Sequence, residues 1–191
     1  MKQANHSEKG LSTRDKILRA ARNTLIEKGY EGLVLRELAD TLGIKLGNLQ
    51  YYFKTKDLLV LAVFAEEARD DLLALTGEIT ELLPRFEKMV ERLVSRWRGN
   101  SGVLFSMLGT LALHHSEFKK LHRDNYANFY LALNPIVAEL NPTLSESQRS
   151  LKVRLITALI DGSSMQVQIG SWQDYLAAIQ AQAIAIATSD A

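Results

Sequence analysis

Apolar residues recur at three- and four-residue intervals along most of this 191-residue chain, and only three prolines interrupt them. A stripe of that period can be buried on one side only if the backbone is helical, because a half-buried strand needs alternation every second residue. The chain is therefore read as all-α. The first helix is predicted over 13–28, with Ile17, Ala20, Ala21 and Leu25 inward, Ser12 or Thr13 as its cap and Gly29 as its stop. Two short helices follow, at 35–42 and 46–52, separated by Gly43 and very little else.

Thr55 is the expected cap of a fourth helix carrying Leu58, Leu61, Ala62, Ala65, Ala68 and Leu72 on one face and ending near Gly77. A fifth begins around Pro84, carries Phe86, Val90, Leu93 and Trp97, and stops at the Gly-Asn-Ser-Gly of 99–102. Helices at 103–115 and 117–140 come next, the latter kinked at Pro135. Ser145 and Gln148 have capping-box spacing before a helix reaching about Gly170, and Ser171 opens an alanine-rich last helix to about Ala187.

A hydrophobic content of 47% is enough for a substantial core. Without cysteine there is no disulfide, thiolate metal site or cysteine nucleophile. No apolar run is long enough to span a bilayer and no leader is evident, so the expected location is cytoplasmic. The net charge of +1 conceals an asymmetry. Residues 1–56 hold eleven Lys/Arg against six Asp/Glu, a net of +5, whereas 57–191 hold twelve against sixteen, a net of −4. A basic head on an acidic body is expected where one part meets a polyanion. Two domains are expected: a head over 1–56 and a body over 57–191.

The segment 35–54 fits a helix-turn-helix. Ala39 is small where two helices cross, Gly43 permits a turn with positive φ, and Leu38, Ile44 and Leu49 fill the space between. With Leu49 and Phe53 inward, Asn48, Gln50 and Tyr51 face outward, as a helix in a major groove requires. Adjacent residues on a helix diverge by about 100°, so Tyr51 and Tyr52 cannot both be buried on one face. Their hydroxyls suit phosphate, Lys54 and Lys56 neutralise it, and the helix starting near Lys56 adds backbone N–H groups. Asn48 and Gln50 carry amides of the kind that pair with adenine.

Residues 13–63, with Glu-Lys-Gly-Tyr after the first helix, "ELADTLGI", "GNLQYYF" and "KTKDLL", resemble the DNA-binding head of the tetracycline-repressor (TetR) family of bacterial transcription regulators. The resemblance implies DNA contacts at Arg36, Leu46, Gly47, Asn48, Gln50, Tyr51, Tyr52 and Lys56. Val34 and Lys45 depart from it, standing where the family often has capping Ser or Thr, and Gln50 stands where tyrosine is frequent.

The resemblance further implies a helical-bundle body for ligand binding and dimerisation. It implies a palindromic double-stranded DNA operator and a small-molecule effector that releases the DNA. The segment 154–170 resembles the family's penultimate helix, which with the last helix forms a homodimer interface; Gly162, Ser163, Ser164 and the alanines from Ala177 onward suit close helix approach. Candidate ligand contacts are Trp97, Phe105, His114, Tyr126, Phe129, Met165 and Gln166. No aspartate or arginine stands out as a charge anchor, so the expected effector is largely apolar. Glu66, Glu67, Asp70 and Asp71 read as a solvated helix face. His114, His115 and His122 with Glu117 open an alternative, a metal-dependent helical enzyme, but no His-Glu-x-x-His or recurring Glu-x-x-His motif is present. A second alternative is an architectural DNA binder without effector. The leading expectation is a dimeric repressor with no metal, cofactor or catalytic residues.

Overall fold

The structure, a computed structural model, describes residues 12–75, 81–166 and 172–190, except for the side chains of 164–166. Among these residues the regular structure is helical: α1 (Thr13–Lys28), α2 (Leu35–Thr41), α3 (Leu46–Tyr52), α4 (Lys56–Ala74), α5 (Leu82–Arg98), α6 (Asn100–His114), α7 (Ser116–Leu140), α8 (Glu146–Gln166) and α9 (Trp172–Thr188). Contacts divide the chain into two compact units, Met1–Glu66 and Glu67–Ala191, with the division inside α4. The expected ends of helices at Gly77, Gly170 and Ser171 lie outside the described residues. No helix among the described residues is long and apolar enough to cross a membrane.

In the first unit α1 starts where Ser12 Oγ accepts from Asp15 N at 3.2 Å, and α4 where Thr55 Oγ1 accepts from Leu58 N at 3.2 Å. Each cap satisfies one of the first-turn N–H groups that the helix itself leaves without an acceptor. Ile17, Leu18, Ala21, Leu25, Leu33, Leu38, Ala39, Leu49, Phe53, Leu59, Val60, Val63 and Phe64 are buried here. The α2–α3 turn is held by Gly43 N donating to Asp40 O and Ile44 N to Ala39 O, both at 3.0 Å. Gly43 has φ +66°, a left-handed value that a side chain would strain. Val34 and Lys45, at the N-caps of α2 and α3, make no side-chain capping bond.

In the second unit α5 packs against α6, α7, α8 and α9. Phe86, Met89, Val90, Leu93, Val94 and Trp97 line its buried side, joined in the core by Leu133 and Val137 of α7, Val153, Ile156 and Ile160 of α8, and Ile179, Ala183 and Ala187 of α9. The segment 99–102, expected as a break, is mostly helix: α6 begins at Asn100, directly after Gly99. Gly102 belongs to α6 because a Cβ there would lie 1.9 Å from the Trp97 carbonyl oxygen, so only glycine lets the chain fold back so tightly. α7 runs through Pro135 without ending.

The capping box at α8 is present, Gln148 N donating to Ser145 Oγ at 3.3 Å and Ser145 N to Gln148 Oε1 at 2.8 Å. The end of α9 is tied down by buried polar groups: Lys152 Nζ donates to the Ile186 and Ser189 carbonyls, both at 2.8 Å, and Asn141 Nδ2 to those of Thr188 and Ser189. These are carbonyls that a helix C-terminus leaves unpaired, and an ammonium there also meets the negative end of the helix dipole.

Candidate nucleic-acid interface and interior ring cluster

Leu49 orients α3. It is fully buried, and the residues around it turn outward: Gly47, Asn48, Gln50, Tyr51 and Tyr52 are exposed, Tyr51 to 84%. Tyr52 meets Tyr51 edge to face at 5.3 Å, so the two rings brace each other. Arg36 and Lys54 are exposed and Leu46 is half-buried. A Cβ on Gly47 would meet nothing within 4 Å, so the unit's own packing does not demand glycine there. Room for an approaching backbone would.

Lys56 is placed differently. Its ammonium lies 4.0 Å from the Tyr30 ring centroid and 3.7 Å from Glu31 Oε2. Tyr30 in turn donates its hydroxyl to Asp57 at the start of α4, and burial, then that bond and charge, push its pKa up to about 12. Arg14 completes the support of this unit, its guanidinium 5.5 Å from the Phe53 ring and 3.5 Å from Glu66.

Within the second unit, three of the sequence-predicted ligand residues meet. Trp97 stacks on Phe105 at 4.9 Å, and Phe105 meets Tyr126 at 6.3 Å. His122 and Tyr130 extend the series from Tyr126 at 4.9 and 5.8 Å. Phe129 instead points into the hydrophobic core and His114 is exposed at the end of α6. The side chains of Met165 and Gln166 lie outside the described residues.

Two acids that the sequence did not mark as part of a site join these rings. Tyr126 donates its hydroxyl to Asp161 Oδ2 at 2.7 Å. Burial is the main reason the Asp161 carboxyl is raised to about 6; the charge of Asp71 adds to it and the Tyr126 hydroxyl opposes it. Asp71 is itself raised, by burial first, with Arg96 pulling the other way at 2.8 Å. Arg96 also reaches Glu67 Oε2 at 3.4 Å, and Ser101 Oγ donates to the same oxygen at 2.7 Å. The expected solvated acidic face of α4 is thus corrected. Glu67 and Asp71, one turn apart, face Arg96 of α5, while Glu66 and Asp70 stay at the surface. Likewise a charged group does stand among the rings, contrary to the expectation of no acidic anchor. Burial raises the Tyr126 and Tyr130 hydroxyls first, with Asp161 second, and it lowers His122.

Among the described residues no group of three His, Asp or Glu could hold a metal ion. His122 sits against Tyr126, while His115 packs edge to face on Phe118 at 5.8 Å, so spacing in sequence did not become convergence in space.

Residues 17–63 match the model of bacterial regulatory proteins of the tetR family. The chain is 26% identical over 110 residues to the HTH-type transcriptional repressor KstR2 of Mycolicibacterium smegmatis, a match covering 58% of this chain and 52% of that protein. The chain therefore spans only about half the length of that relative. It is 22% identical over 176 residues to the HTH-type transcriptional regulator PksA of Bacillus subtilis, covering 88% of this chain and 82% of the relative. A solved transcriptional regulator from Rhodococcus sp. Rha1 shares the fold with a TM-score of 0.77 at 16% identity, over 92% of this chain and 96% of the other. With its head formed around a buried Leu49 and an exposed Tyr51, the chain carries over residues 17–63 the DNA-binding head of the tetR family of bacterial regulatory proteins.

Proposed function

We propose that this chain is a cytoplasmic, dimeric transcription repressor that binds a palindromic DNA operator through α3 and leaves it when a small molecule occupies the body. The observation that carries the reading is the outward face of α3. Asn48, Gln50 and Tyr51 are exposed around a buried Leu49, with Lys54 beside them and Arg36 exposed on α2. Amides of that kind pair with adenine edges, tyrosine hydroxyls and lysines hold phosphate, and the two sets belong to specificity and to affinity respectively.

Dimerisation is supported by α8 and α9. Leu151 and Leu155 are 59% and 48% exposed on the same side of α8 as Ala158 and Gly162, and α9 exposes Ala177, Ala178, Ala181 and Ala185. A Cβ on Gly162 would meet nothing within 4 Å, so the chain's own packing does not require that glycine either. Small residues around protruding leucines suit close approach by a second copy, whose two-fold axis would set paired half-sites about 34–36 Å apart. The effector site proposed is the ring cluster of Trp97, Phe105 and Tyr126 together with Asp161.

The test is operator binding by two variants across a salt series. Lys54→Ala should lower the slope of log affinity against log salt by about 2, one phosphate contact being lost per protomer of the dimer, without changing which sequence is preferred. Gln50→Ala should leave the slope alone and reduce discrimination at one base pair of each half-site by about 1–3 kcal/mol. Sequence preference unmoved by Gln50→Ala, together with an unmoved slope for Lys54→Ala, would rule out α3 as the reading element.

A further inference from the structure

We propose that the body's interior site takes an organic cation, an alkylammonium group held between the Asp161 carboxylate and the faces of Tyr126 and Phe105. The inference rests on the reading that this cluster is the effector site, and it gives that effector a chemical class.

Three helices supply the parts. α7 brings Tyr126, Tyr130 and His122, α6 brings Phe105, and α8 brings Asp161, positioned by the 2.7 Å bond from the Tyr126 hydroxyl. Phe105, His122, Tyr130 and Asp161 each touch Tyr126, and all five keep part of their surface accessible. The charges gathered here are the carboxylates of Glu67, Asp71 and Asp161 and the guanidinium of Arg96, which engages Glu67 and Asp71. Asp71 is close enough to Asp161 to disfavour its ionisation, so the potential at Asp161 is negative. His122 adds no opposing charge near neutral pH, because burial favours its uncharged form. Arg154 lies over Tyr130 at 5.9 Å, at the other end of the ring series from Phe105 and Trp97.

A second observation concerns Trp97. Trp97 is 3% exposed and its Nε1 has no partner in hydrogen-bond geometry, yet it lies close enough to Asp71 to lower that carboxyl's pKa. An oxygen on a bound ligand would give this buried donor a better-aligned acceptor.

The alternatives fit less well. An anion would meet the same negative potential. A plain hydrocarbon would strip the remaining water from Asp161 and gain nothing from its charge. A metal ion would require converging ligands that the described residues do not supply. An alkylammonium is weakly hydrated, is attracted by ring faces and gains from a carboxylate beside them.

Calorimetry on the purified full chain at pH 8 would compare benzyltrimethylammonium, its neutral isostere neopentylbenzene and the anion phenylacetate. The cation should bind at least about tenfold more tightly than the isostere, as one desolvated cation–ring contact warrants. Asp161→Asn should remove that preference while leaving neutral binding unchanged, with circular dichroism establishing that it is folded. Tyr126→Phe, which keeps the ring, should retain most of the preference. Equal affinity for cation and isostere would overturn the proposal, as would a cation affinity weaker than about 1 mM in the parent. The effector reading fails differently: it falls only if none of a wider set of neutral, anionic and cationic compounds changes retention of the chain on DNA.

Discussion

Asp161 shows how one side chain's surroundings become measurable. Its carboxyl is raised from the usual range to about 6, mainly by burial. A raised acid stabilises the fold in its protonated form, so its contribution is full below the unfolded value near 4 and is lost as pH rises through about 6. Between pH 5 and pH 7.5 the parent should lose about 1 kcal/mol of unfolding free energy relative to Asp161→Asn, measured by urea denaturation at both pH values. Parallel pH profiles for the two proteins would contradict the assignment. Asp161 was not legible in the sequence, and the reason is physical. Its neighbours Tyr126 and Asp71 lie 35 and 90 positions away, and only tertiary packing unites them. Leu49 and Tyr51 were legible, because a turn of about 100° per residue decides locally which of two neighbours faces in.

At the scale of elements, α2 and α3 are seven residues each and neither has a side-chain N-cap. Short helices are marginal alone, so these depend on Leu38, Ala39 and Leu49 being buried. Val34 has φ −116° and ψ 121°, extended values that threonine adopts readily. Val34→Thr should therefore raise stability by about 1 kcal/mol in chemical denaturation, the added hydroxyl accepting from the first turn of α2. No gain would mean that water already satisfies those N–H groups. Helix limits set by local chemistry were readable: Ser12, Thr55 and the Ser145–Gln148 pair cap where their spacing implies. The α5–α6 corner was not. The sequence shows two glycines around Asn100 and Ser101, but that Gly102 lies under the Trp97 carbonyl depends on how two helices cross.

For the whole molecule, the all-helical fold followed from the period of the apolar residues, and the charge split of +5 and −4 pointed to the head as the part that meets a polyanion. The interior chemistry of the body did not follow, because Glu67 and Asp71 look like surface acids until Arg96 and Ser101 are placed against them. Two such heads on one dimer would read one symmetric DNA site. That reading is tested most directly by incubating the purified chain with genomic DNA fragments from its source, washing at rising salt, and sequencing what remains bound. A shared palindrome with half-site centres about one helical turn apart should be retained after non-specific fragments have left. Fragments with no common sequence, released together as salt rises, would contradict that reading.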